Sequence, residues 1–204
     1  RLLTGKQRLP GFGEGWGHKQ TEIGVIPEDW KVSRLQDVTS KIVDGVHHKP
    51  HYTSSGIPFL TVRNLTAGPG ITLDGCSFIS ASDHLEFVKR ADPKSGDVLV
   101  TKDGTLGVAR VIPPSLTEVS IFVSVALIRP NQSAITPEFI HLFFESGEYE
   151  KQLGALSAGT GLKHIHLADF KKFQMKIPPV REQRAIAEIL TDMDCEITAL
   201  EKRL

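Results

Sequence analysis

Long hydrophobic runs are missing from this chain. The longest nearly continuous one, Ile121 to Ile128, is far short of the ~20 residues a membrane helix needs, and it reads as a buried strand. No apolar core of the secretion-signal kind is present near the N-terminus. Cysteine is scarce. Cys76 and Cys195 lie far apart and form no metal-spaced pair, so they are expected as free thiols in a reducing cytoplasm. An excess of either charge is also lacking, because 24 basic and 24 acidic residues cancel. That argues against gripping a polyanion through bulk charge, though not against a locally basic face. The chain contains no Gly-x-Ser-x-Gly, no dinucleotide fingerprint, no Gly-Lys-Ser/Thr phosphate loop and no Asn/Asp-Pro-Pro-Tyr/Phe methylation motif. Nothing assembles a nucleophile with its base. The expectation is a non-catalytic protein with no cofactor and no assigned metal.

What is present is a mixed, soluble composition, 40% hydrophobic and 24% charged, sized for one domain with an accessory element. Residues 1–20 look like the end of a helix, stopped by Gly5 and Pro10, followed by a flexible Gly-rich linker. Residues 21–178 read as a globular domain anchored by Trp30, Val32 and Leu35. Gly56 to Leu65, Asp97 to Thr101, Gly107 to Ile112, Ser120 to Pro130 and "FQMKI" are short, β-branched or aromatic segments bounded by turn residues, hence strands. Thr136 with Pro137 and Glu138 behind it opens a helix, and Gly147 divides it. After Pro178-Pro179 a long helix starts near Arg181. Its apolar residues Ile186, Leu190, Met193, Ile197, Leu200 and Leu204 step by alternating fours and threes, the rhythm of a coiled-coil seam. Taken over 182–204 it is roughly 34 Å long. The expected fold class is α+β: a globular domain with a twisted, mostly antiparallel sheet and a few helices, followed by this long C-terminal coiled-coil helix, 179–204. The helix is expected to stand apart from the domain core, with Glu182, Arg181, Arg184 and Glu188 on polar faces beside the seam.

Four segments carry polar chemistry. "DGVHHKPHY" is the densest; with its flanks it places Lys41, His47, His48, Lys49, His51 and Tyr52 in a stretch whose only acid is Asp44. Such residues on a Gly/Pro-shaped loop can donate to phosphates and base edges. A solvated loop, or a metal site built from the three histidines, stays open, although the spacing is poor for zinc. Arg63 and Asn64, placed at a strand end, suit guanine and adenine because each offers two hydrogen bonds in a plane; a turn beside a surface arginine fits equally. "TKDGTLGVAR" is a hairpin by its Asp-Gly pair, and Lys102, Thr105 and Arg110 can face a phosphate or carry incidental charge. "SAGTGLKHIH" brings Thr160, Lys163 and His164 to a loop whose free amides can hold an anion.

Several segments together resemble a known family. "DGVHHKPHYTSSGIPFLTVRNL", "GDVLVTKDGTLG", "SVALIRP", "GTGLKHIHLADF" and "IPPVREQRAIAEIL" followed by "LEKRL" occur in the order expected of a specificity subunit of a type I restriction-modification enzyme. The resemblance implies a target recognition domain that reads one half of a split double-stranded DNA sequence. It also implies a conserved helix that pairs antiparallel with another as a ruler. Separate methyltransferase (modification) and restriction subunits would supply the catalysis. By that likeness the chain holds one recognition domain, one conserved helix and the stub of another. With one seam helix per chain, a symmetric homodimer would cover the apolar stripe. Two rival readings remain open: a metal-dependent hydrolase using His47, His48 and His51, and a coiled-coil assembly protein that makes no DNA contact.

Overall fold

The computed structural model describes residues 1–156 and 163–201. In chain order the strands are β1 (His18–Thr21), β2 (Gly24–Pro27), β3 (Lys31–Arg34), β4 (Thr39–Asp44), β5 (Tyr52–Thr53), β6 (Ile57–Leu60), β7 (Ser77–Ile79), β8 (Val98–Thr101), β9 (Ala109–Val111), β10 (Ser120–Ile121), β11 (Val125–Pro130) and β12 (Gln174–Ile177). The helices are α1 (Val62–Thr66), α2 (Ala81–Phe87), α3 (Pro137–Phe144), α4 (Gly147–Leu156), α5 (Leu167–Phe170) and α6 (Val180–Glu201). The expected α+β class holds: the strand pairings are antiparallel except β10 with β6 and one isolated bridge.

The sheet β4-β11-β8-β9 forms the centre. Its β8, Val-Leu-Val-Thr, is buried throughout, as a strand covered on both faces should be. Alternation sorts its side chains. Val98, Val100, Ala126 and Ile128 face a large core with α3 and α6, while Leu99, Val125 and Leu127 face a smaller one with Leu60, Leu65 and Ile121. The second sheet, β10-β6-β7-β5, packs Phe59 and Ile79 against Phe87 of α2 in a third cluster with Val46.

Several local readings come out differently. The segment Gly56 to Leu65 is a strand only to Leu60. Thr61 then caps α1, with reciprocal bonds between Thr61 and Asn64; this is a capping box, which starts a helix by satisfying its free amides. Ser120 to Pro130 is two strands in different sheets, because the chain turns between Ile121 and Val125. The helix-end part of the N-terminal segment packs on the domain. Leu2, Leu3 and Leu9 rest on the large core, and the one-turn helix Leu2–Thr4 ends at Gly5 in the left-handed region at φ 70°. The helix start at Thr136 and the break at Gly147 match the expectation; the Thr136 hydroxyl accepts the Phe139 amide at 3.2 Å.

The long helix does belong to the core over its first turns. Glu182, Gln183, Ile186 and Ala187 are buried and Leu190 is partly buried against the same cluster. Ile186 is therefore a domain residue and not part of a free seam. Glu182, expected on a polar face, is fully enclosed. Beyond Leu190 the apolar residues emerge: Met193, Ile197 and Leu200 are exposed. Leu204 lies outside the described residues.

Candidate nucleic-acid interface

Asp44 ends β4, Thr101 ends β8, and Val125 begins β11, and the register places these three at one end of the central sheet. The loop that leaves β4 carries His47, His48, Lys49 and His51, the loop after β8 carries Lys102 and Asp103, and the short turn into β11 is uncharged. Gly45 makes the first possible: a Cβ there would sit 1.9 Å from the Ile121 carbonyl oxygen. Without one, the Val46 amide donates to that oxygen at 3.1 Å and the loop lies flat across β10. His47, His48, Lys49, His51 and Tyr52 then stand exposed. His48 packs edge-on to Phe87 at 5.3 Å, and the Lys49 ammonium sits 5.7 Å from the Tyr52 ring centre.

Beneath this loop lies a chain of alternating charge. The buried Asp44 carboxylate accepts from the Arg90 guanidinium and lies 3.3 Å from His47 Nε2. The Lys102 ammonium, also buried, stands 3.5 Å from Asp44 and 3.8 Å from Asp103. Asp103 pairs with His164. Burial alone would raise the Asp44 carboxyl, but hydrogen bonds from Arg90 and His47 and the nearby Lys102 hold it below the usual carboxylate range. Backbone bonds add to the link: the Gly104 amide donates to Lys163 O at 3.1 Å and the Ile165 amide to Lys102 O at 2.8 Å. Three loops separated in sequence, 44–52, 102–105 and 163–166, thus form one patch. Thr105 and Lys163 are exposed on it.

Other expected residues are placed elsewhere. Asn64 is 4% exposed; its Oδ1 accepts from Thr61 and its Nδ2 donates to Thr72 O at 3.0 Å. It supports the α1 turn and has no face toward solvent. Arg63 beside it is exposed. Lys102 is 2% exposed and props the patch from below. Arg110 donates to Ala109 O at 2.8 Å and to Gly68 O at 2.9 Å, a tie between loops. Lys41 is engaged with Asp92, whose carboxyl its ammonium helps to hold far below the usual range against the effect of burial. Thr160 lies outside the described residues. His47 meets Asp44 and Arg90 while His48 packs on Phe87, and among the described residues no group of three or more His, Cys, Asp or Glu is placed to hold a metal.

Sequence reasoning missed Arg90 and Lys89, which flank His47 and His48 in a shallow cleft over Phe87 and Val46. The signal was Asp44: a lone acid among cations, later found buried, needs a partner, and Arg90 is that partner.

A family model for the type I restriction modification DNA specificity domain matches residues 27–204. The putative type I restriction enzyme MjaX specificity subunit of Methanocaldococcus jannaschii is 26% identical over 196 residues, covering 91% of this chain and 44% of its own length. The type I restriction enzyme EcoBI specificity subunit of Escherichia coli is 26% identical over 183 residues, covering 88% of this chain and 38% of its own. Among solved structures, the HsdS subunit from Thermoanaerobacter tengcongensis superposes with a TM-score of 0.63 at 22% identity, covering 94% of this chain and 43% of that one. A chain from a study of complex assembly and conformational transition of the type I R-M system gives 0.65 at 21%, covering 93% and 44%. These two likenesses speak for the fold. The chain spans less than half the length of the curated relatives named here.

Proposed function

The chain belongs to the type I restriction modification DNA specificity domain family, and from that premise we propose that it is a non-catalytic module reading one half of a bipartite DNA target. The observation that carries this reading is the convergence of the loops 44–52, 102–105 and 163–166 in one patch, cross-linked by Asp44, Lys102 and Asp103, with the exposed histidines and lysines of the first and third on its surface. His47, His48, Lys49, His51, Lys163 and His164, with Tyr52 and Thr105, face the DNA from the patch and the exposed Lys and His hold phosphates, while Arg63, exposed on α1 outside the patch, reads a base edge. Lys102, Asn64 and Arg110 act from within. Methyltransferase and restriction subunits dock on the assembled protein and supply the chemistry. The exposed outer part of α6 pairs with a second such helix, from another copy or from a longer chain.

A balanced overall charge fits a reader that supplies only part of the affinity. The test is a titration of the chain against duplexes of mixed sequence at low and high salt. Binding is expected to be weak and to fall steeply with salt. Lys163→Ala is expected to weaken binding to all sequences alike and to reduce the salt slope by about one. Tight binding that ignores salt would overturn the reading.

A further inference from the structure

The point where the chain leaves the globule is tied to the segment by which it enters. Glu182, in the first turn of α6, has no exposed surface. Its carboxylate accepts from the Arg8 guanidinium, with Nη2 at 2.8 Å, and from Trp30 Nε1 at 3.1 Å. Arg8 also grips Asp29 with two bonds of 2.9 and 2.8 Å, so a single guanidinium holds two carboxylates in fork geometry. The neighbouring Gln183, equally buried, accepts the Thr136 amide at 2.9 Å and donates to Ala134 O and Pro178 O. The start of α6 is thus bonded on one side to the N-terminal segment and on the other to the turn before α3.

We propose that Arg8 and Glu182 are positioning residues that fix the direction in which α6 leaves the domain, and with it the spacing at which a second half-site is read. Buried ionic groups add little net stability over apolar ones of the same shape, yet they reward one geometry and penalise others. A bidentate guanidinium restricts angle as well as distance. An apolar helix start on an apolar core could pivot; one whose carboxylate is gripped by Arg8 and Trp30 together cannot turn without stranding a buried charge. Four groups from three parts of the sequence converge here without contributing to the cationic patch. The consequence for half-site spacing rests on the function proposed above, whereas the direction of the helix does not.

The experiment places one spin label on Cys195, exposed on the outer part of α6, and one on the globule at Lys172→Cys, with Cys76→Ala to keep the labelling specific. Double electron–electron resonance then measures the distance distribution in the full chain. The wild-type residues should give a narrow distribution. Arg8→Lys, which keeps the charge but loses the fork, and Glu182→Gln, which keeps the shape but loses the charge, should each roughly double its width. Circular dichroism confirms folding. Should Glu182→Gln fail to fold, Arg8→Lys decides, with Trp30→Phe as a gentler third variant that removes only the indole donor. Widths unchanged in the folded variants would overturn the proposal. A second arm maps methylated sites in DNA from cells carrying the complete system. The Arg8→Lys protein should retain both half-sites while relaxing the spacing between them, and unaltered spacing would overturn that part. A wild-type protein that selects no sequence would count against the function proposed above and leave the resonance result standing.

Discussion

The inner and outer parts of α6 share one heptad rhythm but differ in what covers them. Ile186 is 1% exposed, locked into the core with Ala187 and flanked by the bonded Glu182 and Gln183. Met193 and Ile197, further along the same stripe, are each 51% exposed and Leu200 is 55%. Periodicity tells which side of a helix is apolar; it does not tell which surface will cover it. The two buried polar residues at 182 and 183 mark the difference, because a carboxylate and an amide enter a core only where partners wait for them. No comparable polar anchor buries the outer part, where residues 191–201 are exposed throughout.

The sharpest way to break this comparison is to shorten one apolar residue in each part. Ile186→Ala is expected to cost about 2–5 kcal/mol, the range for emptying a filled core position. Ile197→Ala in the isolated chain should stay within about 0.5 kcal/mol, as for a surface change. Urea denaturation of both variants measures the contrast. Equal losses would mean that the outer part is covered by its own domain after all.

A smaller effect on folding, but a decisive one on association, is expected from Ile197→Lys combined with Leu200→Lys. Both residues are exposed on α6, and apolar stripes of this kind are completed by a second helix. Sedimentation should show any self-association lost while the unfolding midpoint holds. A chain that is monomeric before and after would assign the stripe to a different partner chain and remove the homodimer from the proposed function.

Much of the scaffold was legible from local chemistry. The Thr136-Pro137 helix start, the break at Gly147, the strand Val98–Thr101 and the strand after Phe173 each rest on signals within a few residues. So does the hairpin joining β8 to β9. The misses are where a partner decides, nearby for Asn64 and distant for the charged groups. Asn64 carries the chemistry of a base reader, but Thr61 three residues before it and Thr72 beyond it claim its amide. Lys102 looks like a phosphate ligand until Asp44, far back in the sequence, neutralises it beneath the surface. The stretch between Gly5 and Pro10 reads only as the stop of a helix, yet Arg8 inside it is held by Asp29 and Glu182. A lone acid such as Asp44 signals that a charge partner exists but not which distant residue it is, so the patch was visible as a set of loops and its internal wiring was not.

That wiring also separates the two parts of α6 by pH. The Arg8 guanidinium, chiefly through its hydrogen bonds, holds the Asp29 carboxyl below its ordinary 3.8. The folded protein therefore binds the proton less readily than the unfolded chain does. The stabilisation is complete above 3.8 and is lost as pH falls below that value toward the folded carboxyl's own pKa. Asp44, depressed by Arg90 and His47 against its burial, works in the same direction at the loop end. Acid should thus loosen the start of α6 through the Arg8 grip, lowering the unfolding midpoint only modestly. Asp29→Asn should flatten that part of the acid profile while lowering stability at neutral pH. An unchanged acid profile in Asp29→Asn would show that the grip on the inner part comes from Arg8 and Trp30 on Glu182, without a contribution from Asp29.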